Sequence, residues 1–251
     1  MLWVRRQYVG VYKQTLIGPL WHFISPIFAT VSYMFIFGKV GNLSTGGVPM
    51  FLFYCGGISI WNFFYGCFSS SSSAFAAHAG IFGKVYFPRL IMPLASLISS
   101  LIKFGIQFSL FIVAYLYFII WRDYHAPINW NLLYIPLSLV FLALTGFGMG
   151  IIISSVTTKY RDINIMVGFG MQVFMYVTPI VYSFTTLSPK MKYWISFNPL
   201  VAPIEAFKYS LFGIGQFSFV SFLYSFIWMV ILLFTGLVLF NRVEKNFMDT
   251  V

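Results

Sequence analysis

Asp123, Asp162, Glu205, Glu244 and Asp249 are the only acids in this chain, and His22, His78 and His125 its only imidazoles. General acid–base work needs two such groups within hydrogen-bond reach of one reacting centre, and glycoside hydrolysis needs paired carboxylates. These residues are scattered over separate loops and form no dyad and no metal-ligand spacing. Cys55 and Cys67 lie inside one apolar run and read as small packing residues. No G-x-x-x-x-G-K-[ST] stretch is present to cradle nucleotide phosphates. The glycine-rich "GFGMG" from Gly146 to Gly150 lacks the lysine and reads as a small-residue helix contact at G-x-x-x-G spacing. If the chain moves anything uphill, the energy must enter through another chain. Aromatic surface is what it has in quantity: 31 Phe, 16 Tyr and 7 Trp. Many serve as lipid-facing rings and interfacial belts. Trp61, Phe63, Phe64 and Tyr65 stand out as a concentration of flat faces, two of them with polar tips, suited to sliding contact with sugar rings.

The elements that would position such rings are membrane helices. Sixty per cent of the 251 residues are hydrophobic and 8% are charged, with a mean hydropathy of +0.87, whereas a soluble domain carries roughly 25% charged residues. Several apolar runs exceed the roughly 18 residues that cross a bilayer as a helix, and they lack the alternation of barrel strands. Six spans are expected: about Leu20 to Gly38, Met50 to Phe68, Ser100 to Trp121, Leu132 to Val156, Ile163 to Tyr182 and Phe219 to Phe240. The net charge of +10 sits in short groups between these runs, a pattern of anionic headgroups at a membrane face rather than of nucleic acid. No cleavable signal is expected, because the basic start leads into a full-length span.

Six spans put both termini on one side. Arg5, Arg6, Lys13, Lys84, Arg89, Lys159, Arg161, Arg242 and Lys245 share that side, while Lys39, Arg122, Lys190, Lys192 and Lys208 lie opposite. The positive-inside rule makes the termini cytoplasmic. Lys103 is expected near the inner end of the third span, its stem snorkelling to the headgroups.

Three segments between spans carry more than connection. Over residues 1–18, Arg6, Gln7, Gly10, Lys13 and Gln14 fall on one helical arc and Leu2, Val4, Tyr8, Val9, Val11, Tyr12 and Leu16 on the other, with Trp3 and Arg5 out of pattern. Such a helix lies in the membrane interface, and Gly18-Pro19 then turns the chain inward. Residues 77–90 contain Lys84, Tyr86, Phe87 and Arg89, the aromatic and cationic mix of protein interfaces. Residues 183–217 are apolar, but Pro189, Pro199 and Pro203 cut them into pieces too short to cross. Short helices dipping into the outer leaflet beside a cavity or gate are expected there.

"YKQTLIGPLW" from Tyr12, "KVYFPRLIMP" from Lys84, "KYRDI" from Lys159, "TPIVYS" from Thr178 and "NPLVAPIEAFKYSLFG" from Asn198 occur in that order over nearly the whole chain. In these stretches the chain resembles the permease subunit of type-2 ABC transporters that export bacterial polysaccharides such as O-antigen, teichoic acid and capsule. The resemblance implies an all-α integral membrane protein with residues 1–251 as one transmembrane domain. It implies a homodimer in the bacterial cytoplasmic membrane carrying two ATP-binding subunits. ATP and Mg would be held by those partners, with no cofactor in this chain and a lipid-linked polysaccharide as substrate. Lys84, Val85, Tyr86, Phe87, Pro88 and Arg89 would form the helix that couples to the ATPase, and Arg5, Arg6, Tyr12 and Lys13 would lie on the interface helix beside it. Trp61, Phe63, Phe64 and Tyr65 become candidates for the glycan path, and Trp194, Phe197, Asn198, Pro199, Glu205 and Lys208 for the external gate. An exporter of a small lipid or drug shares the six-span plan, and a membrane enzyme of lipid-glycan assembly or a passive channel are further alternatives.

Overall fold

A computed structural model describes residues 21–73, 91–125, 130–157, 162–215 and 217–246. The interface-helix residues Arg5, Arg6, Tyr12 and Lys13 and the coupling residues Lys84 to Arg89 lie outside the described residues. All regular structure among the described residues is helical. Helix α1 is Trp21–Tyr33, continued by a π-helical stretch Met34–Val40; α2 is Met50–Ser72; α3 is Ile91–Trp121; α4 is Tyr134–Thr157 behind a 3-10 turn at Trp130–Leu133. Then come α5 Ile163–Val177, α6 Pro189–Ile195, α7 Val201–Phe212 and α8 Phe219–Asn246.

Five of these segments are long and apolar enough to cross a membrane, counting α1 with its π-helical continuation and α4 with its 3-10 turn. The fifth expected span is shorter than the sequence suggested. Instead of running from Ile163 to Tyr182, α5 ends after 15 residues at Val177. Pro179 is the cause: its ring drives the preceding residue out of the helical region, and Thr178 is extended, with φ −88° and ψ 139°. In the other direction, α3 begins nine residues before the expected Ser100. Pro93 falls in its first turn, where the missing N–H is not needed. Lys103 therefore stands roughly 18 Å along the helix at 1.5 Å per residue, not at its inner end.

Helix α2 is the axis of the subunit. It is apolar on every face and buried along most of its length, as expected of a helix surrounded by others. Helices α4 and α3 pack on it most extensively, with α1 alongside, and α8 covers the far side of α4. Glycines set the α4 contacts. A Cβ on Gly146 would come within 2.9 Å of the Phe64 carbonyl oxygen, and one on Gly150 within 2.6 Å of both the Phe68 carbonyl oxygen and the Ser71 Cβ. Gly148 faces the α8 backbone at Leu232 instead. The "GFGMG" stretch thus serves two neighbours, with Gly146 and Gly150 together on α2 as their spacing indicated.

Gly150→Ala is expected to cost about 1–3 kcal/mol, since backbone rather than a flexible side chain must give way. Thermal unfolding in detergent would register it. Gly105→Ala, on α3 with nothing within 4 Å of the new methyl, should be neutral or slightly stabilising.

Proline placement explains the helices between α5 and α8. Ser188 caps α6 by accepting from the Met191 N–H, and Pro189 opens the helix. Pro203 sits in the first turn of α7, and Gly213, with φ 67°, closes it. Neither helix, at 7 and 12 residues, is long enough to cross.

Candidate functional site

Three helices converge on one open groove of about 460 Å³. Helix α1 contributes Ser25, Ala29 and Tyr33; α2 contributes Ile58, Trp61, Asn62 and Tyr65; α5 contributes Met171, Gln172, Met175 and Tyr176. The spacings explain the convergence. Ser25, Ala29 and Tyr33 are four residues apart, Ile58, Trp61 and Tyr65 three or four, and Gln172 and Tyr176 four, so each set occupies one helical face.

Among the described residues that line it the groove is neutral: none is an acid, base or thiol, so its serine and tyrosine hydroxyls have no ionisable base beside them. It presents aromatic faces at Tyr33, Trp61, Tyr65 and Tyr176, with the amides of Asn62 and Gln172 and the Ser25 hydroxyl between them. Rings that stack and uncharged groups that both donate and accept suit a polyhydroxylated ligand. The walls are braced from behind. The Tyr33 hydroxyl lies 3.6 Å from the Met175 sulfur, Phe37 is 6.1 Å from Tyr176 between ring centroids, and Trp61 is 5.4 Å from Phe64.

Of the four aromatic residues expected along a path, the structure brings only Trp61 and Tyr65 to the groove. Phe63 and Phe64 are turned into the subunit's own core, where Phe63 packs on Phe104 at 5.0 Å and Phe64 is 0% exposed. Consecutive helical positions step by about 100°, so four neighbours cannot share a face, whereas Trp61 and Tyr65, one turn apart, can. Tyr33, Asn62, Gln172 and Tyr176 escaped sequence reasoning. The signal was there in Asn62 and Gln172, lone amides inside apolar spans, which mark functional positions by default.

The expected gate residues divide into three groups. Trp194 and Phe197 are exposed beside Tyr193, whose ring centroid is 5.1 Å from that of Phe197. Pro199 is half-buried in the turn between α6 and α7. Asn198, Glu205 and Lys208 are buried and form a clamp on the break after α5. Lys208 Nζ donates to the carbonyls of Pro179 and Tyr182, stands 4.4 Å from the Phe53 ring centroid, and lies 3.8 Å from Glu205 Oε1. Asn198 Nδ2 donates to the Thr178 hydroxyl at 2.9 Å, and its Oδ1 accepts from the Leu200 N–H. Thr178, Pro179 and Tyr182 at the α5 break are thereby tied to α7 or the turn before it.

Burial raises the Glu205 carboxyl above its ordinary range and lowers the Lys208 ammonium below its own, while each partner's charge works against that shift. On its other side Glu205 borders a cavity of about 60 Å³ shared with Ser218, Ser221 and Ser225, room for about two water molecules. Among the described residues no group of three His, Cys, Asp or Glu is placed to hold a metal ion.

Comparison with known proteins points one way. A family profile described as ABC-2 type transporter matches residues 1–212. An O-antigen export system permease protein RfbA of Klebsiella pneumoniae is 29% identical over 240 residues, covering 95% of this chain and 89% of its own. A second Klebsiella pneumoniae protein of that name is 28% identical over the same shares. A Myxococcus xanthus protein, again an O-antigen export system permease RfbA, is 23% identical over 82% of this chain and 76% of its own.

Proposed function

The chain belongs to the ABC-2 type transporter family, and from that premise we propose that it is the transmembrane subunit of an ATP-driven exporter of lipid-linked polysaccharide. The observation that carries the reading is the neutral groove of aromatic faces and amides between α1, α2 and α5. A glycan chain must be gripped by many weak contacts that exchange as it advances. Stacking and uncharged hydrogen bonds do this, and a fixed charge would arrest a chain bearing its opposite. The names of the relatives support the same substrate class.

In this proposal α5 makes a sixth crossing, both termini are cytoplasmic, and the protein sits as a homodimer in the bacterial inner membrane with two separate ATP-binding chains. ATP and Mg belong to those partners, which also carry the hydrolysis. The segment 77–90, with Lys84, Val85, Tyr86, Phe87, Pro88 and Arg89, receives their movement, and the interface segment 1–18 lies beside it at the membrane surface. The second subunit would face the groove and close it into a path, with the α6–α7 hairpin at its external mouth. The charge distribution supports the orientation, and the light packing and exposed side chains of α5, among them Ile165, Met166 and Phe169, support a partner on that face.

The test is reconstitution with the ATP-binding partner in proteoliposomes, comparing purified lipid-linked glycan with a panel of hydrophobic drugs. Glycan-dependent stimulation of ATP hydrolysis and glycan movement are expected. Stimulation by drugs alone would transfer the reading to a small-molecule exporter. In the same system Tyr86→Ala with Arg89→Ala should leave the subunit inserted and abolish the link between hydrolysis and transport. Undiminished export by that double variant would remove segment 77–90 from the mechanism.

A further inference from the structure

An amide side chain offers an acceptor at one end and donors at the other, and inside an apolar span no bulk water satisfies either. Asn62 on α2 and Gln107 on α3 are two such groups, and Asn62 Nδ2 donates to Gln107 Oε1 at 3.3 Å. Gln107 is 7% exposed and is not among the residues that line the groove, so it meets no ligand there. Asn62 is exposed and does line it. The hydrogen bond therefore ties a groove residue to a fixed point behind the wall.

The tie has a sense. The oxygen and nitrogen of an amide diverge from one carbon, so holding Asn62 Nδ2 against α3 swings Oδ1 away from that helix. Among the described residues nothing donates to this oxygen, and it stays on offer to the groove. Gln107 Nε2 is meanwhile enclosed without a partner, which weakens the fold. An apolar side chain at that position would avoid the cost and lose only the hold on Asn62. Tyr33, Trp61, Tyr65 and Tyr176 give the groove ring faces, along which a sugar slides with little regard to its hydroxyl pattern. A fixed acceptor does discriminate, because a ligand lacking the matching donor leaves it unpaired.

We infer that Gln107 is a positioning residue for glycan recognition, holding the Asn62 amide so that its Oδ1 accepts a sugar hydroxyl. The inference rests on the export reading and deepens it. The rings carry the chain, and Asn62 selects repeats that bring a donor hydroxyl within its reach.

The test measures half-maximal stimulation of ATP hydrolysis by the full complex in proteoliposomes, with purified lipid-linked glycan and with the same glycan partly O-methylated, so that fewer hydroxyls can donate. Asn62→Leu should raise the half-maximal concentration about fivefold, and Gln107→Met, at a residue outside the groove, about threefold. The double variant should match Asn62→Leu in affinity rather than multiply the two losses, because one residue acts through the other. It should also regain any stability that Asn62→Leu loses by stranding Gln107. O-methylation should weaken stimulation of wild type more than that of Asn62→Leu. Gln107→Met should melt no lower than wild type, since the enclosed donor is gone. Wild-type affinity in Gln107→Met, multiplied losses in the double variant, or equal O-methylation effects in wild type and Asn62→Leu would each overturn the assignment. A lower melting temperature for Gln107→Met would also overturn it, by marking Gln107 as a packing group. Failure of the export reading looks different: wild type itself would show no glycan-dependent hydrolysis, and both readings would fall together.

Discussion

Lys208→Met is expected to destabilise the subunit by about 3–5 kcal/mol, because it leaves the Glu205 carboxylate buried without its adjacent cation. It also strips the donor from the Pro179 and Tyr182 carbonyls at the end of α5. The double variant Glu205→Gln with Lys208→Met should recover the part of that loss due to the unpaired charge, since a buried pair replaced as a unit is often nearly neutral, and leave the part due to the lost carbonyl donor. Thermal unfolding in nanodiscs would measure both. The pH dependence of the single variant follows from the sign of the shift. Burial raises the folded-state Glu205 carboxyl above its unfolded value. The deficit should therefore be smallest below the ordinary carboxyl value of about 4.3, where both states hold the proton, and grow as pH rises through the folded value. A deficit independent of pH, or a double variant no better than the single, would show that the pair is not what closes the α5 break.

The second large effect concerns recognition. Tyr65→Ala should weaken the apparent affinity for lipid-linked glycan by about tenfold, its exposed ring contributing on the order of 1.5 kcal/mol. Trp61→Ala, at a ring only 5% exposed and packed on Phe64 and Phe174, should instead add a stability loss of about 3–5 kcal/mol to any loss of affinity. The readout is half-maximal stimulation of ATP hydrolysis in proteoliposomes. Phe64→Ala is the contrast. Its side chain is 0% exposed inside the core, so it should cost about 3–5 kcal/mol of stability and leave the affinity of the surviving folded protein unchanged. Indistinguishable behaviour of Tyr65→Ala and wild type would take the groove out of the glycan path.

The spans were legible because continuous apolar runs in a membrane chain admit almost no other structure. Their ends were less so. The stretch before Ser100 holds Pro93 and Ser96 and looks like loop, yet a proline is harmless in a first turn, and α3 starts at Ile91. Hydropathy continues through Ile180 to Tyr182, which concealed the break that Pro179 imposes. At the groove, residue type pointed to Trp61 and Tyr65, but composition alone could not separate them from Phe63 and Phe64. Helical phase does, and then only once the neighbours of α2 are known. Tyr33 and Tyr176 reach the same groove from positions more than a hundred residues apart, a convergence set by packing rather than by local pattern. The Glu205–Lys208 pair was visible at its i, i+3 spacing. Its burial against Phe53 and the α5 break is a tertiary fact.

Helix α5, at 15 residues, is roughly 22 Å long, against a hydrocarbon slab of about 30 Å. If α5 makes the proposed sixth crossing, lipid beside it must compress its tails to meet it, at a cost of fractions of a kcal/mol for each ångström. Acyl-chain length thus becomes a control variable: short-tailed bilayers relieve the compression and long-tailed ones increase it. In the sixth-crossing arrangement, the glycan would pass where the membrane is thinnest.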